Sequence, residues 1–141
     1  MLDQTPYSRS KRLVGVRILL VEDNTDCLDA LRVLLEFNGA QVEGVVCAKD
    51  ARAVLPELRP HVLITDLSMP GEDGYALVAS VRKLAPDQGR DTPAVAFSAL
   101  SPAEAEVRAS DVGFQAFLRK PGDVLLIVPT VVRLLPPALA L

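Results

Sequence analysis

Cysteine is scarce: Cys27 and Cys47 are the only two in 141 residues. Two thiols cannot build a disulfide framework, and neither is clustered with histidine at the spacing of a zinc site, so both classes are excluded and a reducing, cytoplasmic setting is expected. Long hydrophobic runs are missing as well. No segment reaches the roughly 20 uninterrupted apolar residues of a membrane span, and none follows the N-terminal charges as a secretory signal would, so no membrane partner is expected. The net charge of −3 gives no field that would hold a phosphate backbone. The small basic cluster Arg9, Lys11 and Arg12 reads as a solvated arm, and direct nucleic acid binding is not expected. A glycine-rich loop after the first apolar run is also absent, which argues against a nucleotide-binding domain.

What remains is a chain half of whose residues are hydrophobic, long enough for one domain with a real core. Residues 1–14 lack periodicity and read as a flexible leader, residues 15–136 as the domain, and residues 137–141 as a short tail. Within the domain, short apolar runs alternate with segments of helical period, the pattern of βα units around a parallel sheet. The first run, Val16 to Val21, is apolar almost throughout, as a strand covered on both faces requires. Leu28, Leu31 and Leu35 then mark a helix that stops at Asn38-Gly39. Val42 to Val46 and a weaker helix follow, with Pro56 inside it predicting a kink or a short helix. The third run, His61 to Thr65, ends at Asp66 and a Pro70-Gly71 loop. The fourth, Ala94 to Phe97, ends at Ser98, after which Ser101-Pro102-Ala103-Glu104 predicts a capping box. An alanine-rich helix bearing Ala103, Ala105 and Ala109 comes next. Phe114 to Leu118 is the fifth run, followed by Lys120-Pro121 and a last apolar helix ending before Pro136-Pro137.

In an open parallel sheet ligands sit beyond the carboxyl ends of the strands, and the polar residues obey that rule. Glu22 and Asp23 follow the first strand, Asp66 the third, Ser98 the fourth and Lys120 the fifth. Converging carboxylates repel one another unless a cation offsets them. Mg²⁺ suits a few carboxylates completed by water and phosphate oxygens. A lysine and a hydroxyl nearby add phosphate to the expectation, with Asp66 best placed as nucleophile. Singly, each residue reads as well as a helix cap, a turn residue or a solvated lysine; their joint placement carries the argument.

Together Glu22-Asp23, Asp66 followed by Met69-Pro70-Gly71 and Asp73-Gly74, Ser98-Ala99 and Lys120-Pro121 resemble the receiver domains of two-component response regulators, over about residues 16–135. The resemblance implies a flavodoxin-like, doubly wound α/β fold: a five-stranded parallel sheet of order 2-1-3-4-5 with five helices. It implies a signalling domain rather than an enzyme, phosphorylated on Asp66 by a sensor histidine kinase or phosphotransfer protein and read by a downstream protein target, as a monomer or weak dimer. Asp23, Asp66 and the backbone carbonyl of Ser68 would ligate Mg²⁺, Glu22 would act through a bound water, and Lys120 would pair with the acids and the phosphoryl group. Ser98 and Phe117 occupy the positions of the family's switch residues, although Phe117, lacking a phenolic hydroxyl, reads equally as a core aromatic. Apolar Leu100 would hinder an attacking water and prolong the phosphoryl group. Alternatives are a phosphate-independent binding module, whose mark would be loss of one of these residues, and the receiver of a hybrid histidine kinase. An aspartate-nucleophile phosphatase is disfavoured by Ser68, which stands where a second aspartate is usual.

Overall fold

Five apolar runs become five parallel strands, each but the first leading in from a helix. The computed structural model describes residues 11–139, and its elements run β1 (Arg17–Val21), α1 (Thr25–Phe37), β2 (Gln41–Val45), α2 (Ala48–Leu58), β3 (Val62–Thr65), α3 (Gly74–Val81), β4 (Ala94–Ser98), α4 (Pro102–Val112), β5 (Ala116–Arg119) and α5 (Ile127–Leu134). Two short 3₁₀ turns, Pro86–Gln88 and Val124–Leu126, complete them. The sheet order is β2-β1-β3-β4-β5. Every adjacent pair is parallel.

Alternation along the strands divides the core into two layers. Ile18, Leu20, Ile64, Val95 and Phe97 face α1 and α5, meeting Leu28, Leu31, Leu35, Ile127 and Val131. Leu19, Val21, Leu63, Ala94 and Ala96 face α2, α3 and α4, meeting Ala51, Leu55, Leu77, Val78, Ala105 and Ala109. Helices on both faces explain why β3 and β4 are buried along their whole length while β2, at an edge, is half exposed. Among the described residues no helix is long and apolar enough to cross a membrane.

Four local expectations change. Residues 1–10 lie outside the described residues, but the reading of a leader through residue 14 fails at Leu13, which is fully buried in the α1/α5 layer while its N–H donates to the Asn38 carbonyl. Preceded by Lys11-Arg12 and cut off from the first strand's run by Gly15, that leucine has no periodic pattern to betray it. In the tail, Leu139 packs against the same layer, and residues 140 and 141 are outside the description. The helix α2 runs past Pro56 to Leu58, because the proline stands in the final turn, where it removes one amide bond rather than interrupting a long ladder. At the start of α4 the capping box does not close through the backbone: the Ser101 hydroxyl donates to the Glu104 carboxylate at 2.7 Å, and no side-chain cap reaches a backbone N–H.

Candidate functional site

Order reversal places the site. From β1 the chain moves outward to β2, then returns to the other side of β1 for β3, so the loops after β1 and β3 diverge and leave a crevice at their carboxyl ends. Glu22 follows the last residue of β1 and Asp66 the last of β3, and the register Val21↔Thr65 sets them side by side. Ser98 is the last residue of β4, level with Arg119 of β5, so Lys120 projects from the next strand end.

Glu22, Asp23 and Asp66 bring carboxylate oxygens within 4.8 Å of one another. Glu22 and Asp66 are buried and Asp23 is exposed, an arrangement open to solvent at one acid. The Lys120 ammonium reaches in from the far side, donating to Glu22 Oε1 at 2.6 Å and to Asp66 Oδ2 at 3.0 Å. The remaining oxygens are occupied by backbone: Asn24 N–H donates to Glu22 Oε2 at 3.1 Å and Ser68 N–H to Asp66 Oδ1 at 3.2 Å. Burial alone would lower the pKa of Lys120, but its hydrogen bonds to Glu22 and Asp66 and their charges outweigh that, and the net shift is upward. The ammonium is therefore held charged. Three carboxylates around one lysine leave an excess of negative charge, and an oxygen-only donor set with an exposed member fits a hard divalent cation that keeps several waters.

The backbone at Asp66 is held tightly. Thr65, wholly buried, donates its hydroxyl to the Asp66 carbonyl at 2.9 Å. Gly74 lies so close that a Cβ there would stand 2.2 Å from that same carbonyl oxygen, so the Asp73-Gly74 pair is needed to seat α3 against the acid loop. Asp73 caps α3, accepting from Ala76 N–H at 2.8 Å. The Ser98 side chain is fully buried, and its oxygen accepts from Leu100 N–H at 3.2 Å. Phe117, half buried on β5, packs against the α2/α3/α4 layer and borders a cleft beside Ala109 and Phe114. The structure thus brings together Glu22, Asp23, Asp66 and Lys120. Ser68 is exposed on the acid loop, while Ser98 and Phe117 stand on the neighbouring strands.

Other participants escaped sequence reading. Arg52 of α2 pairs with Glu72 in the loop after Asp66, and the Arg108 guanidinium of α4 lies over the Tyr75 ring, 3.9 Å from its centroid. Cys27 lines a cleft of about 200 Å³ with Phe97, Lys120 and Val124. Its thiol pKa is raised by burial first and then by the Glu22 charge. These contacts depend on how helices sit on the sheet. No local spacing signals them.

A family model described as the response regulator receiver domain matches residues 18–131. The chain is 38% identical over 113 residues to the uncharacterized 14.6 kDa protein in the sodA1 3′ region of Leptolyngbya boryana, covering 80% of this chain and 85% of that one. Among solved structures it resembles the signal receiver domain of a signal transduction histidine kinase from Syntrophus aciditrophicus (33% identity, TM-score 0.76, 85% of this chain and 89% of that one). It also resembles the receiver domain of the histidine kinase CKI1 from Arabidopsis thaliana, complexed with Mg²⁺ and BeF₃⁻ (26% identity, TM-score 0.72, 87% and 95%). Other relatives, transcriptional regulators among them, are matched over only 43–46% of their own length.

Proposed function

The chain belongs to the response regulator receiver domain family of two-component signalling, and on that premise we propose that Asp66 accepts a phosphoryl group, with Mg²⁺, from a sensor histidine kinase or phosphotransfer protein. The observation that carries this reading is Lys120, which bonds Glu22 and Asp66 at once in a cluster of three carboxylates. A structural ion pair needs one acid; a lysine shared by two buried acids beside a third fits a site that handles additional charge. The CKI1 receiver domain holds Mg²⁺ and BeF₃⁻, and the donor set here suits the same pair.

Asp23, Asp66 and the Ser68 carbonyl would hold the ion, which supplies neutralisation of the phosphoryl oxygens. Glu22, bonded to Lys120 and Asn24, would act on the ion through a bound water, the role its resemblance to the family implies. An Asp66 oxygen attacks phosphorus in line; the new P–O bond forms as the bond from phosphorus to the donor nitrogen breaks, giving an acyl phosphate. Lys120 keeps its charge through the step and pairs with a phosphoryl oxygen. The Ser98 hydroxyl, released from Leu100, donates to another, with Phe117 turning inward behind it, and the displaced surface is read by a downstream protein.

Incubation with Mg²⁺ and acetyl phosphate should add about 80 Da, one phosphoryl group, to the intact mass. The adduct should be absent in Asp66→Asn and absent without metal. A wild-type protein unlabelled by both acetyl phosphate and histidine kinases would count against the reading. Likeness to two kinase receivers favours a second arrangement, in which this domain serves a hybrid kinase; the mass of the native polypeptide on an immunoblot separates the two.

A further inference from the structure

The helix α4 hangs from the switch hydroxyl and is thinly anchored. Only Ala105 and Ala109 of its eleven residues are buried, with Val112 partly buried against the same layer, while Val107 is 74% exposed. It begins just beyond Leu100, whose N–H donates to Ser98 Oγ at 3.2 Å, so the Ser98 side chain ties down the turn that leads into the helix, and a Ser98 oxygen that leaves this bond releases that turn.

Beyond the apolar side chains that the two helices share in one core layer, a cation–π contact crosses from this helix to its neighbour: the Arg108 guanidinium on the face of Tyr75. Tyr75 is a firm support. It is buried in the first turn of α3, next to Gly74, whose N–H donates to the Leu67 carbonyl at 3.1 Å and whose backbone is pressed on the Asp66 carbonyl. The stack therefore joins the helix that follows Ser98 to the helix seated on Asp66. Arginine over a tyrosine face at this distance is attractive, and more so where the ring is desolvated.

We propose that the Arg108–Tyr75 stack is a latch that holds α4 in its present place and must open when Ser98 is drawn to a phosphorylated Asp66. It rests on the phosphoacceptor reading above. A latch of this kind lowers the population of the competent arrangement, and reaction with a small phosphodonor is slowed by that fraction.

The test is the initial rate of labelling by acetyl phosphate with Mg²⁺, followed by intact mass, beside amide hydrogen exchange across residues 100–112 without donor. Arg108→Ala and Arg108→Gln should label about two- to fivefold faster, the range a partly exposed cation–π contact supports, with faster exchange in α4. Tyr75→Phe keeps the ring face and should behave as wild type, which separates the stack from any effect of the phenol. Labelling of both Arg108 variants at or below the wild-type rate overturns the latch. If the wild type itself takes no label, the phosphoacceptor reading is what fails, and exchange decides the contact alone: unchanged protection in Arg108→Ala overturns it, faster exchange supports it.

Discussion

Asp23 differs from the acids beside it: Glu22 and Asp66 are buried against Lys120, whereas Asp23 stands exposed with its carboxylate within 4.8 Å of theirs. It adds repulsion without sharing the lysine, on the order of 1 kcal/mol for a pair at that separation in water. Asp23→Asn should therefore raise the unfolding free energy of the metal-free protein, read from urea titration, by up to about that energy, and weaken Mg²⁺ binding at the same time, measured by titration calorimetry. A loss of stability would mean that the crowding of charge is not what the geometry indicates. The acids and Lys120 were legible in the sequence because each terminates an apolar run and strand ends of a parallel sheet share one edge. Partners set by helix packing, such as Glu72 for Arg52, were not, since their separation along the chain obeys no period. Ser101 and Glu104 show a subtler gap. Their spacing was read correctly as a pair, yet the hydroxyl donates to the carboxylate instead of accepting from the backbone.

Elements repeat that division between periodic and contextual signals. The strands followed from unbroken apolar runs, and the site loops from the turn residues after them. Pro56 misled because helix propensity penalises proline most in the interior, and only the structure shows that α2 has two residues left to run. The junction of β3 and α3 makes the sharpest demand: at Gly74 a methyl group would meet backbone, not a yielding side chain. Gly74→Ala should cost about 1–3 kcal/mol, the usual range for overpacking, and should slow labelling of Asp66 more than a surface substitution of equal thermodynamic cost, since the displaced atom is the acceptor's own carbonyl. Equal rates at matched stability would show that α3 can shift without moving the acid.

At the scale of the whole molecule the two ends of the sheet do different work. Opposite the acids, Arg17 N–H donates to His61 Nδ1 at 2.9 Å, and the Arg17 guanidinium caps the end of α2 through the Leu58 and Arg59 carbonyls. Burial first, and then the Arg17 charge, lower the His61 pKa. A histidine depressed in the folded state contributes its stability in full above about pH 6.5, the unfolded value, and loses it as the pH falls from there through the folded pKa, because the unfolded chain binds the proton more readily. The urea midpoint should accordingly drop as the pH falls below about 6.5, the unfolded histidine pKa, and His61→Asn should flatten that drop; an unaltered pH profile would exclude His61 as its source. The other end has a consequence in time. Lys120 lies 98 residues after Glu22 and 54 after Asp66, on the loop that follows the edge strand. A chain made from its N-terminus gathers the three acids of the site first, so the cation that offsets part of their charge is the last component to emerge, and docking of β5 brings it to them in the same event that completes the sheet.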